Sequence, residues 1–180
     1  DVPTFGHISL IMGKDGKKMS KRHGATSVEQ YKNLGYLPEA INNFLALMGW
    51  APEGEQELFT TEELIKNFSM DRVAKNPAVF DIDKLNWINF NYMKKLTDEE
   101  LYTLCLPSLQ EAGYASAQPD EEEKARLTML CVCLKDHISY GAQIKEEAAM
   151  FFTDSISIDE EHRDDIKAVF NPAKNKLFAD

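Results

Sequence analysis

The chain has 180 residues, of which 43% are hydrophobic and 28% charged, and it carries a formal net charge of −10. This length allows one large or two small globular domains with a buried core. No run approaches the roughly 18 apolar residues of a membrane span, no signal peptide opens the chain, and the acidity excludes a general basic field for binding phosphates.

The average hides an asymmetry. Residues 1–35 hold six Lys/Arg against three Asp/Glu, a net +3, which leaves 14 against 27, a net −13, for the remainder. The chain opens on Asp1-Val-Pro-Thr-Phe5 without an initiator Met and leads directly into strand-like sequence, as expected of a piece of something longer.

In chain order, His7 to Met12 reads as a short strand, and Gly13-Lys14-Asp15-Gly16 supplies the turn chemistry of a hairpin. Lys14, Lys17, Lys18, Lys21 and Arg22 crowd five cations into nine residues, with Gly16 and Gly24 as flexible glycines and Met19 as one apolar residue able to pin the loop to a core. A basic cluster by itself also describes an ordinary solvated loop. The spacing equally suits a mobile loop that closes over polyphosphate, where cations meet the charge that grows on departing pyrophosphate.

Thr26-Ser27 followed by Glu29-Gln30 is a helix-start signal, and Gly35 ends that helix. Pro38-Glu39 opens the next one. Its residues Ile41, Phe44, Leu45 and Met48 repeat at three and four as one buried face, with Asn42 and Asn43 on the other side and Gly49 as the stop. Thr60 to Glu63 forms a capping box for a helix through Phe68, Ser69 to Arg72 starts a short turn, and Asn76-Pro77 breaks it. Asp81 begins a longer helix containing Trp87, Ile88, Tyr92 and Met93. These aromatics could form a base-stacking platform, although the helical spacing favours core.

Thr97-Asp98-Glu99-Glu100 is the clearest helix start, and Gly113 closes that helix. Beyond a domain boundary near Thr97 the pattern predicts helices alone, over Asp120 to Leu134, Gln143 to Phe152 and Asp159 to Val169, with Met150-Phe151-Phe152 as core. Glu121 to Glu123 sit where a helix dipole stabilises carboxylates. His137 and His162 lack any partner pattern. Cys105, Cys131 and Cys133 are an odd set, and two positions apart on a helix points Cys131 and Cys133 to nearly opposite sides, so a shared zinc is not expected. Reduced thiols in a cytosolic protein are the plain reading, and no metal site is expected.

Lys18-Met19-Ser20-Lys21-Arg22 resembles the KMSKS signature of class I aminoacyl-tRNA synthetases in its KMSKR form. The run from Met19 to Tyr31, with Leu34-Gly-Tyr-Leu-Pro-Glu-Ala-Ile41, Leu45 to Trp50 and Phe80 to Asn89, is similar to the bacterial glutamyl-tRNA synthetases. The resemblance implies a mainly α fold: a short N-terminal β-hairpin and KMSKR loop, then two helical domains. Residues 1–97 would carry the loop and a stem-contact region, and residues 98–180 the N-terminal portion of an all-helical anticodon-binding region. It implies a glutamate–tRNA ligase that uses ATP and Mg2+, with tRNA(Glu), ATP and glutamate as partners, working as a cytoplasmic monomer away from membranes. Lys18 and Lys21 would be catalytic, and Lys18, Met19, Ser20, Lys21 and Arg22 would bind ATP. Met19 would anchor the loop, and Ser20 and Arg22 would support it.

The second signature of class I enzymes, His-Ile-Gly-His or similar, is absent, since the four histidines are 7, 23, 137 and 162. A doubly wound βαβ pattern is absent too. The nucleotide fold, the glutamate pocket and the acceptor-end domain are therefore expected upstream of Asp1. This chain alone is expected to be inactive, with no cofactor tightly bound. The alternative from another class is a noncatalytic tRNA-binding module, in which the loop merely adds positive charge.

Overall fold

The computed structural model describes residues 2–3, 5, 9–20 and 27–153, which fall in two compact units, residues 1–148 and 149–180. The predicted helix over Asp159 to Val169, with His162, lies outside the described residues, as do His7, Lys21, Arg22 and His23. The architecture is mainly helical, as expected. Two short strands, β1 (Ile11–Met12) and β2 (Ala78–Val79), accompany α1 (Val28–Asn33), α2 (Pro38–Leu47), α3 (Thr61–Asn67), α4 (Ile82–Met93), α5 (Asp98–Glu111), α6 (Glu121–Leu134) and α7 (Ile144–Glu147).

Local chemistry starts most of these helices where the sequence predicts. Ser27, Thr60 and Thr97 each form a full capping box, with Gln30, Glu63 and Glu100 as the reciprocal partners. The carboxylates of Asp81 and Asp120 cap α4 and α6. Gly35 follows α1 with φ of 78°, a left-handed conformation that a side chain would strain.

The first core joins α1, α2 and α4 through Tyr31, Tyr36, Ala40, Ile41, Phe44, Leu85 and Ile88. The second lies among α5, α6 and α7, where Leu101, Cys105, Leu109, Leu127, Cys131 and Ile144 are wholly buried. Cys131 is inside and Cys133 outside, as their spacing requires. The two cores are riveted together by main chain. Gly141 N donates to Gly35 O (3.1 Å) and Ala142 N to Leu34 O (2.9 Å), while Tyr36 and Tyr140 stack at 4.7 Å between ring centroids. A Cβ on Gly35 would lie 2.9 Å from the Gly141 Cα, so both the backbone angle and this close approach demand glycine there.

Several expectations fail. Asn43, expected at the surface, is fully buried. Its Oδ1 accepts from Phe59 N (2.8 Å) and from Tyr92 Oη (3.0 Å), and its Nδ2 donates to Glu57 O (2.9 Å). Leu45, expected on the buried face of α2, is 44% exposed. Trp87, weighed as core, is 42% exposed. The expected Gln143 to Phe152 helix is instead α7 flanked by the single turns Gly141–Gln143 and Ala149–Phe152. In the second unit, Met150 and Phe151 are exposed and not core, and Thr153 Oγ donates to Ala149 O at 2.8 Å.

Candidate functional site: the root of the cationic loop

The predicted hairpin forms, but it is only half of the arrangement. Met12 and Lys18 make an antiparallel bridge, Met19 N donates to Ile11 O (3.0 Å), and Gly13 N donates to Lys17 O (2.8 Å) across the turn. Gly16 sits in the turn at φ of 72°, and Asp15 Oδ1 accepts from Lys17 N at 3.0 Å. On its other edge β1 pairs in parallel with β2, Ile11 with Ala78 and Met12 with Val79, and Phe80 N adds a bond to Met12 O (2.8 Å). The sequence pattern hid β2 behind Pro77, because two residues carry no periodicity.

Lys14 departs most sharply from expectation. Counted among the loop's phosphate-facing cations, it instead reaches Asp81 (2.8 Å) and Asp83 (2.5 Å), at the start of α4. Asp81 already accepts from Asp83 N (3.0 Å) and Lys84 N (3.4 Å) as the cap of α4, so one carboxylate joins the helix start to the hairpin. Its bond to Lys14, helped by those two backbone amides, holds its carboxyl below the usual range. Hydrogen bonds to Asp81 and Asp83 raise the Lys14 ammonium in turn.

Beyond this clamp the chain leaves the hairpin as Lys18, exposed, then Met19 and Ser20, both half-buried. Lys18 is exposed while Met19, bonded to Ile11 O, is half-buried. Three of the five expected ATP-binding residues, Lys18, Met19 and Ser20, are thus contiguous at the hairpin's exit, and Lys21 and Arg22 lie outside the described residues. Lys17, in the turn, is exposed too. Among the described residues no three His, Cys, Asp or Glu side chains gather as metal ligands, and no helix is long and apolar enough to cross a membrane.

Two depressions flank the root. One, of about 600 Å3, contains Phe44, Trp50, Glu57, Val79, Asp81 and Lys84. The other, of about 280 Å3 and mostly apolar, contains Ile11, Leu45, Met48, Phe68, Met70 and Ala78. The exposed Leu45 faces this second depression, which explains its departure from the buried face of α2.

Known proteins are similar to this chain in sequence and in shape. Residues 1–87 match the family model described as tRNA synthetases class I (E and Q), catalytic domain. The chain is 53% identical to a glutamate–tRNA ligase of Desulforamulus reducens over 98% of its own length and 38% of the relative's. It is 52% identical to that of Carboxydothermus hydrogenoformans, over 89% of the chain and 33% of the relative. The crystal structure of glutamate–tRNA synthetase from Elizabethkingia anophelis superposes with a TM-score of 0.74 at 27% identity, covering 98% of this chain and 39% of that one. The chain thus spans a little over a third of the length of the relatives it matches. On this footing it belongs, as a segment, to the glutamate–tRNA ligases among the class I tRNA synthetases.

Proposed function

We propose that the chain supplies the signature loop and the RNA-contacting helices of a ligase that joins glutamate to tRNA(Glu). The observation that carries this reading is the clamped hairpin root, which leaves Lys14 on α4 and sends Lys18 outward at the start of the KMSKR run. In the reaction, a glutamate carboxylate oxygen bonds to the α-phosphorus of ATP and the bond to the bridging oxygen of pyrophosphate breaks. Negative charge grows on the leaving group. Lys18 and Lys21 would offer ammonium groups to that charge, the term that positioned electrostatics contributes most strongly to catalysis. Met19, half-buried, would anchor the moving segment, and Ser20 and Arg22 would support it. Mg2+ would arrive with the ATP phosphates.

We divide the labour near Thr97: residues 1–97 serve the loop and the tRNA stem, and residues 98–180 belong to an anticodon-binding region. The nucleotide fold and the glutamate pocket would come from elsewhere in a longer, cytoplasmic, monomeric polypeptide, and this chain alone would not charge tRNA. The test is Lys21→Ala in that polypeptide. Adenylate formation should fall roughly 100- to 1,000-fold, the usual cost of one charge-stabilising donor, while tRNA affinity changes by no more than about two-fold. Equal losses in both would sink the reading.

A further inference from the structure

Helix α4 carries a surface that adenylate chemistry leaves unused. Trp87 is 42% exposed on it, whereas Trp50, the other tryptophan of the chain, is 3% exposed. Exposing a large ring loses the apolar burial that Leu85 and Ile88, on the same helix, both obtain. Trp87 and Phe90 line an open depression of about 380 Å3, completed by Asp83, Asn86, Asp136, His137 and Ser139.

Cations lie over faces of these rings. The Lys84 ammonium lies 4.4 Å from the Trp87 ring centroid while also pairing with Glu57 at 2.5 Å. Lys94 lies 4.2 Å from Phe90, and Lys95 lies 5.3 Å from Tyr92. From Ile82 to Lys95 the helix and its end carry three lysines against one acidic residue, Asp83, in a chain whose net charge is −10. Polar groups border the ring face. Asn86 accepts from Tyr36 Oη through Oδ1 (2.5 Å), so its Nδ2 is the donor it offers, and Asp136, Ser139 and His137 stand on the opposite wall. The backbone is stiff at this place. Asn91 Nδ2 bonds Trp87 O at 2.8 Å, and Asn89, one turn of side chains inward, bonds Ser139 O at 2.6 Å, joining the helix to the far wall.

A flat ring partly open to solvent, hydrogen-bonding groups around it and lysines packed on the neighbouring rings together match the chemistry of a nucleobase with its phosphate. We propose that this depression receives one unpaired nucleotide of the RNA substrate, its base stacked on Trp87 and its phosphate met by Lys94. The inference rests on the reading that RNA is the substrate, and it goes beyond stem contact, because a base held within a duplex cannot reach the ring. Phe90 would widen the stacking surface, and the base would take the face of the indole that Lys84 does not cover.

The test uses the 180-residue chain with two RNA hairpins, one fully paired and one carrying a single-nucleotide bulge. The bulged hairpin should bind more tightly and should quench the fluorescence of Trp87, the accessible tryptophan. Trp87→Ala should lose roughly 5- to 150-fold in affinity for the bulged RNA, the range of one base stacked on an aromatic ring, and little for the paired one. Trp87→Phe, which keeps a flat ring, should retain most of the preference. Equal binding of the two hairpins, or a bulge preference that survives Trp87→Ala, overturns the proposal. Because Trp87 lies at the surface, an unchanged helical circular dichroism spectrum is expected for both variants. Failure here would leave the Lys21 result in adenylate formation untouched, so the two readings fall separately.

Discussion

The hairpin root and the junction between the two helical cores are held by opposite means. At the root, a two-residue parallel ladder and a few turn bonds are joined by Lys14, Asp81 and Asp83, all substantially exposed. At the junction, the wholly buried Asn89 accepts from Leu37 N (2.8 Å) and donates to Ser139 O (2.6 Å), beside the Gly35–Gly141 contact. Exposed ion pairs contribute little to stability, whereas a buried amide that satisfies two backbone groups is costly to lose. This chain thus places rigidity beneath the helices and ties the start of the cationic run lightly, in keeping with the proposed closing loop.

Breaking the junction should give the largest effect on stability. Asn89→Leu keeps the branched shape but leaves Leu37 N–H and the Ser139 carbonyl without their partner, at about 3 kcal/mol in denaturant unfolding. A loss below about 1 kcal/mol would show that water replaces the amide and that the junction is not the rigid member. Next comes Thr97→Ala, which removes the cap of α5, where Thr97 Oγ1 accepts from Glu100 N (3.3 Å) and Glu100 carboxylate accepts from Thr97 N (2.8 Å). It should cost about 1 kcal/mol and should raise amide exchange in the first turn of α5 more than at the hairpin; a uniform rise would argue against local capping.

The smallest effect is expected at the clamp. Lys14→Ala should leave the unfolding midpoint at pH 7 close to that of the parent while speeding exchange at the Met19 amide. The pH dependence follows from the two partners. Asp81 is held below its ordinary value, so its contribution is complete above about pH 4, the unfolded Asp range, and drains away as pH falls through the lower folded value. Lys14 is raised, so its contribution is complete below about pH 10 and is lost only as pH rises past the folded value. The difference between Lys14→Ala and the parent should therefore be flat from pH 5 to 9 and shrink in acid. A difference that grew in acid would mean that Lys14 acts through some other group.

Much of the helical plan was legible from neighbouring residues alone. Ser27 with Gln30, Thr60 with Glu63, Thr97 with Glu100, and the caps at Asp81 and Asp120 each bind within three residues, so a short window contains the whole interaction. The glycine after α1 and the hairpin turn before Lys18 belong to the same class. The KMSKR run was legible as a pattern of charge and as a family resemblance, and it pointed to the strand that leaves the hairpin.

The misreadings share one physical cause. Lys14 meets Asp83 across 69 positions, Tyr92 meets Asn43 across 49, and Asn89 meets Ser139 across 50. No local rule says that an asparagine will be enclosed, that a lysine will be taken from a loop by a helix cap, or that a tryptophan at helical spacing will face water. Sequence by itself determined where the capped helices begin and where positive charge collects, because backbone sterics and capping act over one turn. Only the tertiary structure decided which polar groups are buried, which strand completes the hairpin and which ring stays open, because those outcomes depend on surfaces that meet after the chain has closed on itself.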